Sequence, residues 1–209
     1  MSRCIISLLL FLILSSDAFP QTNKRSLSGY TSFPNDNVFL YPTVIGREAI
    51  ASETGFRLIG IEYSYKLRKK LSINAGVEFG KHNITVSYWM DNPFLTQLSD
   101  NKGELDMLTF PFSLRLFFLK YFFVHGGFIV DLQTKNNLYN QFSGKNDVVN
   151  DQSGIGSILG IGINYQFKKR FSIYTGLNNE IHGLIFFKKS NFKKRLGDMG
   201  LRTGIGYRF

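Results

Sequence analysis

The chain has 209 residues and a formal net charge of +10, yet only 19% of its residues are charged, 15% are aromatic and 20 are glycines. This length suits one domain with a full core. The low share of charged residues and the 21 phenylalanines argue against a soluble nucleic-acid-binding protein. The single cysteine, Cys4, leaves the rest of the chain without disulfides or cysteine-based zinc sites.

The first residues have the pattern of a secretory signal. Arg3 precedes an apolar run from Ile5 to Leu14, and small residues follow at Ser16 and Ala18. The run is too short to span a bilayer comfortably as a helix. We therefore expect a cleaved signal peptide at 1–18, with an uncleaved anchor as the alternative. A flexible lead at 19–37 and one folded domain at 38–209 follow.

Alternation of apolar and polar residues with a period of two dominates the remainder, which is typical of β-strands with two different faces. The weakest of the predicted strands is the first, since its Pro42 is tolerated only near a strand end or a bulge. In chain order we predict strands at 38–45, 54–67, 71–83, 105–119, 121–135, 154–167, 171–184 and 198–209.

An internal repeat predicts tight hairpins. The segment 65–76 matches 165–176, and each copy has a strand, a short basic turn and a second strand. A looser third copy runs from 116 to 126. Longer polar segments separate the hairpins, so short turns gather at one end of the sheet and loops at the other. The expected loops are 47–53, 89–104, 136–153 and 185–197.

Two ways of burying the apolar face compete. A soluble, lipocalin-like barrel would turn this face inward, whereas a membrane barrel turns it toward lipid. The polar face is rich in glycine and poor in charge, which suits a crowded interior, and aromatic residues such as Tyr63, Tyr165 and Phe171 cluster near the turns. The predicted fold class is therefore all-β: a closed antiparallel up-and-down transmembrane β-barrel of about eight strands, preceded by a signal peptide.

When the polar face of each strand points inward, charged residues of both signs face the lumen. An eight-stranded barrel is just wide enough for side chains, so we expect a salt-bridged network and not an open pore. Glu180 with Arg202, and Glu78 with Arg115, are the expected ion pairs. The predicted lumen network consists of Glu62, Glu78, Arg115, His125, Asp131, Glu180, His182, Asp198 and Arg202.

The chain resembles the PorT-like outer-membrane β-barrel proteins of Gram-negative bacteria. The resemblance is carried by the glycine-alternating strand 154–167 with its basic turn, the segment 108–112, and the ending 204–209. It implies an integral outer-membrane protein with both termini in the periplasm, where residues 19–37 would lie. It also implies that Tyr207 and Phe209 form the C-terminal signal read by the barrel-assembly machinery.

No motif predicts catalysis, a cofactor or a metal ion. The three histidines lie on the polar face without a paired serine, no carboxylate–histidine cluster has ligand spacing on one element, and the GxG repeats do not precede a helix. We expect a structural or interaction protein that acts through its outer loops. The alternatives are a lipid A-modifying enzyme using His182, Glu180 and Asp198, and a narrow solute pore. Expected partners are outer-membrane lipids, lipopolysaccharide and other envelope proteins, but not nucleic acid.

Overall fold

The computed structural model describes residues 24–34, 37–39, 47–90, 99–118, 120–137, 151–167, 170–188 and 195–209. This part of the chain forms one antiparallel sheet, and none of it forms a helix that could cross a membrane. The strands are β1 (Arg25–Pro34), β2 (Asn37–Phe39), β3 (Arg47–Arg68), β4 (Leu71–Met90), β5 (Ser99–Phe118), β6 (Phe122–Asn136), β7 (Gly154–Phe167), β8 (Phe171–Phe186) and β9 (Gly197–Arg208).

The sheet closes on itself, because β1 pairs with both β9 and β3. Leu27 lies opposite Tyr207 on one side and opposite Tyr63 on the other. Since β1 and β2 both pair with β3, they occupy one position, and the ring has eight positions. If paired residues are followed from Leu27 into β3 and then from strand to strand around the ring, the path arrives at Gly197 of β9. Leu27 itself pairs with Tyr207 of β9, so one circuit of the ring shifts the register by ten residues. This stagger tilts the strands and gives the closed up-and-down barrel that the alternation predicted.

The predicted position of the first strand is wrong. The strand is Arg25–Pro34, which lies inside the segment expected to be a flexible lead, and of the expected 38–45 the structure describes only residues 38 and 39, which belong to β2. The outward face of β1 carries Leu27, Gly29, Thr31 and Phe33, so two small or polar residues interrupt its apolar pattern, which is weaker than that of the other strands. The signal-peptide prediction at 1–18 and the remaining residues 40–46 lie outside the described part.

The strands on one side extend beyond their predicted ends. The expected loop at 47–53 belongs to β3, whose ladder with β4 continues up to Arg47 and Met90. The expected loop at 89–104 likewise contains the start of β5. Backbone pairing of β3 with β4 and of β4 with β5 therefore continues beyond the strand ends that the sequence predicted. The centres of the three long loops, 91–98, 138–150 and 189–194, lie outside the described residues.

The two faces of the barrel differ sharply in polarity. Ile59, Leu159 and Ile205 expose 66%, 67% and 61% of their surface, whereas Arg202 exposes 5% and Glu78 none. We call the outward ring of large side chains the apolar belt. Its members include Ile59, Ile61, Tyr63, Tyr65, Leu67, Ile73, Val77, Phe79, Phe112, Leu114, Leu116, Phe128, Leu132, Leu159, Ile161, Ile163, Tyr165, Ile173, Leu177, Leu201, Ile205 and Tyr207.

Candidate functional site: the buried polar interior

The interior holds every residue of the predicted lumen network. The nine side chains come from six different strands, and each exposes 5% of its surface or less. Alternation along each strand brings them to the same side of the sheet, and closure of the ring brings them together. They lie in layers that can be followed from the short turns toward the long loops.

The layer nearest the short turns is built around Arg115 of β5. Its Nη2 donates to both carboxylate oxygens of Glu62, at 2.8 and 3.1 Å. The guanidinium also lies 4.7 Å from the ring centre of Phe123 and 5.5 Å from that of Tyr174. A charged group this deeply buried is tolerated because it has an ion partner and aromatic faces around it.

A glycine creates the space for the next contact. Gly160 lies between His125 and Asn178 on the neighbouring strands, and their side chains meet where a β-carbon at 160 would lie. His125 Nε2 and the Asn178 amide are 3.0 Å apart. With the amide nitrogen donating to His125, the amide oxygen accepts from Arg202 Nε at 2.8 Å. Asn178 therefore joins this layer to the next.

Arg202 of β9 forms the centre of the interior. Its guanidinium contacts Glu78 at 3.0 Å and also pairs with Glu180 on the adjacent strand β8. The ring of Tyr30 lies beneath the guanidinium, with the ring centre 4.5 Å from Arg202 Cζ. The Tyr30 hydroxyl donates its hydrogen to Glu78. One arginine thus offsets two buried carboxylates, and residues from β1, β4, β8 and β9 meet at it.

A histidine bridges two carboxylates in the layer above. His182 lies 3.0 Å from Asp131 through Nδ1 and 3.0 Å from Asp198 through Nε2. His82 approaches the same Asp198 at 3.7 Å, and Thr109 donates to Asp131 at 2.8 Å. A bulge in β8 at Gly183, whose φ is +62°, changes the register just beyond His182.

An apolar layer closes the interior toward the long loops. Ile84, Leu105 and Met107 lie beyond the histidine layer along their strands, Leu196 lies just before β9, and each exposes 1% or less of its surface. Gln152 lies among them, and its side-chain oxygen accepts from the backbone N–H of Leu196 at 3.2 Å. The enzyme hypothesis used His182, Glu180 and Asp198, and all three lie beneath this layer.

A small cavity lies in the described interior near the short-turn end. Arg115, Phe123, His125, Tyr174, Asn178 and Arg202 line it, and it has room for about one water molecule. Arg115 Nε, His125 Nδ1 and the Tyr174 hydroxyl are buried polar atoms without a protein partner, and all three belong to the residues that line it. Within the described residues the lumen is filled by side chains.

Some expected contacts are present and others are not. The predicted pair Glu180–Arg202 is present, but the pair Glu78–Arg115 is wrong, since Glu78 contacts Arg202 and Arg115 contacts Glu62. The register places Arg115 opposite Ser72 of β4, which is six residues nearer the short turn than Glu78. Contacts across the lumen depend on the stagger of the ring, which alternation within a single strand does not give.

Sequence reasoning left several network members out of the predicted site. Tyr30 was assigned to the lead, although the alternation Ser28, Tyr30, Ser32 gave a signal for an inward face. The prediction puts His82 on the polar face but does not include it in the network. It also omits Asn178, which is polar but uncharged. Charge was the criterion for selection, so polar groups that join the ion pairs were missed.

Ion pairs also form outside the interior, toward the long loops. Lys188 donates to Asp151 at 2.7 Å, which raises the pKa of Lys188. Partial burial alone would raise the pKa of Asp151, but hydrogen bonds from Lys188 and Ser153 lower it. On the outer wall, Lys81 and Lys135 contact the two carboxylate oxygens of Glu104 at 2.7 and 3.1 Å.

The acidic side chains of the interior are paired with basic ones. Each buried carboxylate, namely Glu62, Glu78, Asp131, Glu180 and Asp198, contacts an arginine or a histidine. Among the described residues, no group of three or more His, Cys, Asp or Glu side chains is arranged to hold a metal ion. The arrangement can stabilise a closed barrel and block passage through it.

Comparison with known proteins gives structural likeness only. No protein-family model and no curated protein sequence matches the chain. Among solved structures, outer membrane protein OprG from Pseudomonas aeruginosa is 15% identical, with 89% of this chain and 96% of that chain covered and a TM-score of 0.48. Ail of Yersinia pestis is 12% identical, with 90% and 100% covered and a TM-score of 0.43. Outer membrane protein W of E. coli is 12% identical, with 91% and 100% covered and a TM-score of 0.36.

Proposed function

We propose that the chain is an integral outer-membrane β-barrel protein of the PorT-like kind, with a lumen plugged by side chains and a structural or interaction role carried by its long loops. The observation that carries the proposal is the inverted polarity of the barrel. Leu159 exposes 67% of its surface on the outside, while Glu180 exposes 3% in the centre. In water this arrangement would leave the apolar side chains of the outer face hydrated. In a bilayer the same side chains contact lipid acyl chains, while the charged side chains pair with one another inside the barrel.

The dimensions of the apolar belt support the same proposal. On β3 the belt runs over nine residues, from Ile59 to Leu67, and Arg57 precedes it on the same face. A transmembrane strand needs about 9–11 residues at the usual tilt. The ring is also closed by the pairing of β1 with β3 and β9, so no strand edge would face lipid.

The short-turn end has the composition expected at a membrane interface. Tyr65, Tyr165, Phe171 and Tyr207 are exposed there, and the Arg170 guanidinium donates to the Tyr207 hydroxyl at 3.1 Å. Aromatic rings beside basic groups favour the headgroup region. We assign this end to the periplasm, because barrels of this class have short turns there and longer loops outside. The exposed end of β9, with Tyr207 and Phe209, is then available to the assembly machinery.

The first test of the proposal is heat-dependent gel mobility of the full chain in outer-membrane fractions. A folded barrel in detergent should migrate differently before and after boiling, because the closed sheet resists unfolding by detergent alone. Recovery in the soluble fraction, or the absence of any shift, would contradict the membrane assignment.

A second test uses the near absence of cysteine to map the outer face. In a Cys4→Ser background, Leu177→Cys places a single label in the apolar belt, and Lys69→Cys places one in the exposed short turn between β3 and β4. A fluorophore at 177 should be quenched by lipids brominated in their acyl chains, and one at 69 should be quenched much less. Equal quenching at the two positions, or no quenching at 177, would contradict the proposed orientation.

A further inference from the structure

The outer wall carries a one-sided group of basic residues directly beyond the apolar belt. Arg57 of β3 and Lys81 of β4 are register partners, Lys102 lies on β5 and Lys135 on β6. We call these four residues the cationic face. The outward residues near the same end of β8 and β9 are uncharged, with Ile181, Ile185 and Met199 exposed. Among the described residues beyond those two strands, Lys188 is paired with Asp151 and Arg195 is exposed, whereas the cationic face gathers four basic residues on four adjacent strands.

The cationic face keeps an excess of positive charge after its own ion pairs are counted. Glu104 contacts both Lys81 and Lys135, and Asp106 is the register partner of the same two lysines. Among the side chains that the structure describes at this position, four basic residues thus face two acidic ones. Each ammonium has three N–H donors, and a contact to one oxygen of Glu104 uses one of them. Glu104 therefore fixes the two lysines without exhausting their capacity to bind an anion.

The position and width of the cationic face define the chemistry of a ligand. Large apolar side chains, including Ile59, Phe79 and Leu132, lie directly below it and are 41–66% exposed. A ligand that contacts both surfaces needs acyl chains and an anionic headgroup. The face extends from β3 to β6, which is about 14 Å at the usual strand spacing. That width suits a headgroup with more than one phosphate better than a glycerophospholipid with a single phosphate.

We propose that the cationic face binds a multiply phosphorylated glycolipid of the lipid A type, with the acyl chains against the β3–β6 side of the apolar belt. This proposal rests on the outer-membrane assignment, because that assignment turns the long-loop end toward the leaflet that contains such lipids. It adds a specific lipid partner and places that partner on one side of the barrel.

The test is a titration of the folded full chain with bisphosphorylated lipid A in detergent, followed by native mass spectrometry. The test variant carries Arg57→Gln, Lys81→Gln, Lys102→Gln and Lys135→Gln. The matched control carries Arg68→Gln, Lys69→Gln, Lys70→Gln and Lys120→Gln, which removes the same charge from exposed residues at the opposite end. We expect the test variant to bind at least about tenfold more weakly and the control to stay within about twofold of the original chain, since each lost phosphate contact contributes a fraction of the total.

A comparison of ligands keeps the test decisive even when the fourfold variant does not fold. The unmodified chain should prefer bisphosphorylated lipid A to dephosphorylated lipid A and to phosphatidylglycerol. Equal affinity for the three lipids, or equal losses in the two variants, would overturn the proposal. Heat-dependent mobility of the same preparations reports separately on the barrel, so a folded membrane barrel without this preference would remove only the lipid site.

Discussion

At the scale of single residues, Arg202 has the largest part in holding the interior together. Glu78 and Glu180 reach it from β4 and β8, and Tyr30 and Asn178 complete its surroundings. Two buried carboxylates that share one guanidinium would destabilise the fold strongly without it, because neither carboxylate can be rehydrated in the closed barrel. The neighbouring pair of Arg115 and Glu62 has a single carboxylate and so depends less on shared charge.

Replacing Arg202 with methionine tests this dependence. Arg202→Met leaves two buried carboxylates without their cation, and we expect the free energy of unfolding to fall by about 3–5 kcal/mol. Urea-induced unfolding in lipid vesicles would measure the change. Adding Glu78→Gln and Glu180→Gln to the same chain should restore part of the loss. An unchanged midpoint for Arg202→Met alone would show that the ion pairs contribute little to stability.

At the scale of the strand, glycines have two different roles that depend on the face they occupy. On β7, Gly160 faces inward and leaves the space in which His125 and Asn178 meet. On β1, Gly29 faces outward, and a β-carbon there would meet no atom within 4 Å. The same residue type therefore permits dense packing at one position and is replaceable at the other.

A pair of alanine substitutions distinguishes these roles. Gly160→Ala would force His125 and Asn178 apart, and we expect it to lower the free energy of unfolding by about 1–3 kcal/mol. Gly29→Ala should be neutral or stabilising by about 0.5 kcal/mol, since alanine loses less backbone entropy in a strand. Unfolding of both variants in the same vesicles gives the comparison. Similar losses for both would indicate that crowding around residue 160 is unimportant.

At the scale of the whole molecule, the barrel combines a polar core with an apolar exterior. The ion-pair layers and the apolar layer of Ile84, Leu105, Met107 and Leu196 fill the described lumen along most of its length. Closure of the ring removes free edges and encloses these layers. A barrel filled in this way suits a role on its outer wall and loops better than transport through its centre.

Conductance in planar bilayers tests the filled lumen. We expect the inserted chain to give no stepwise current under conditions in which an added porin gives clear steps, because side chains occupy the path of hydrated ions. Insertion must be verified in the same sample by the heat-dependent mobility of the recovered protein. Reproducible steps from the verified barrel would support the narrow-pore alternative.

The amino-acid sequence was sufficient to predict the strand-based fold, a ring of about eight strands and the polarity of its faces. Period-two alternation is a local property, so Arg202 and Ile205 could be assigned to opposite faces without any knowledge of their neighbours. The same reasoning failed for β1, where Gly29 and Thr31 weaken the apolar face and only pairing with β3 and β9 defines the strand.

Which interior groups contact one another depends on how the strands are staggered in the closed ring. Glu180 and Arg202 lie close together on adjacent strands, and this pair could be predicted. Arg115 meets Glu62, not Glu78, because partners across the lumen depend on a stagger accumulated over the whole ring. Alternation fixes the direction in which a side chain points, whereas the height at which it meets another is a property of the closed barrel.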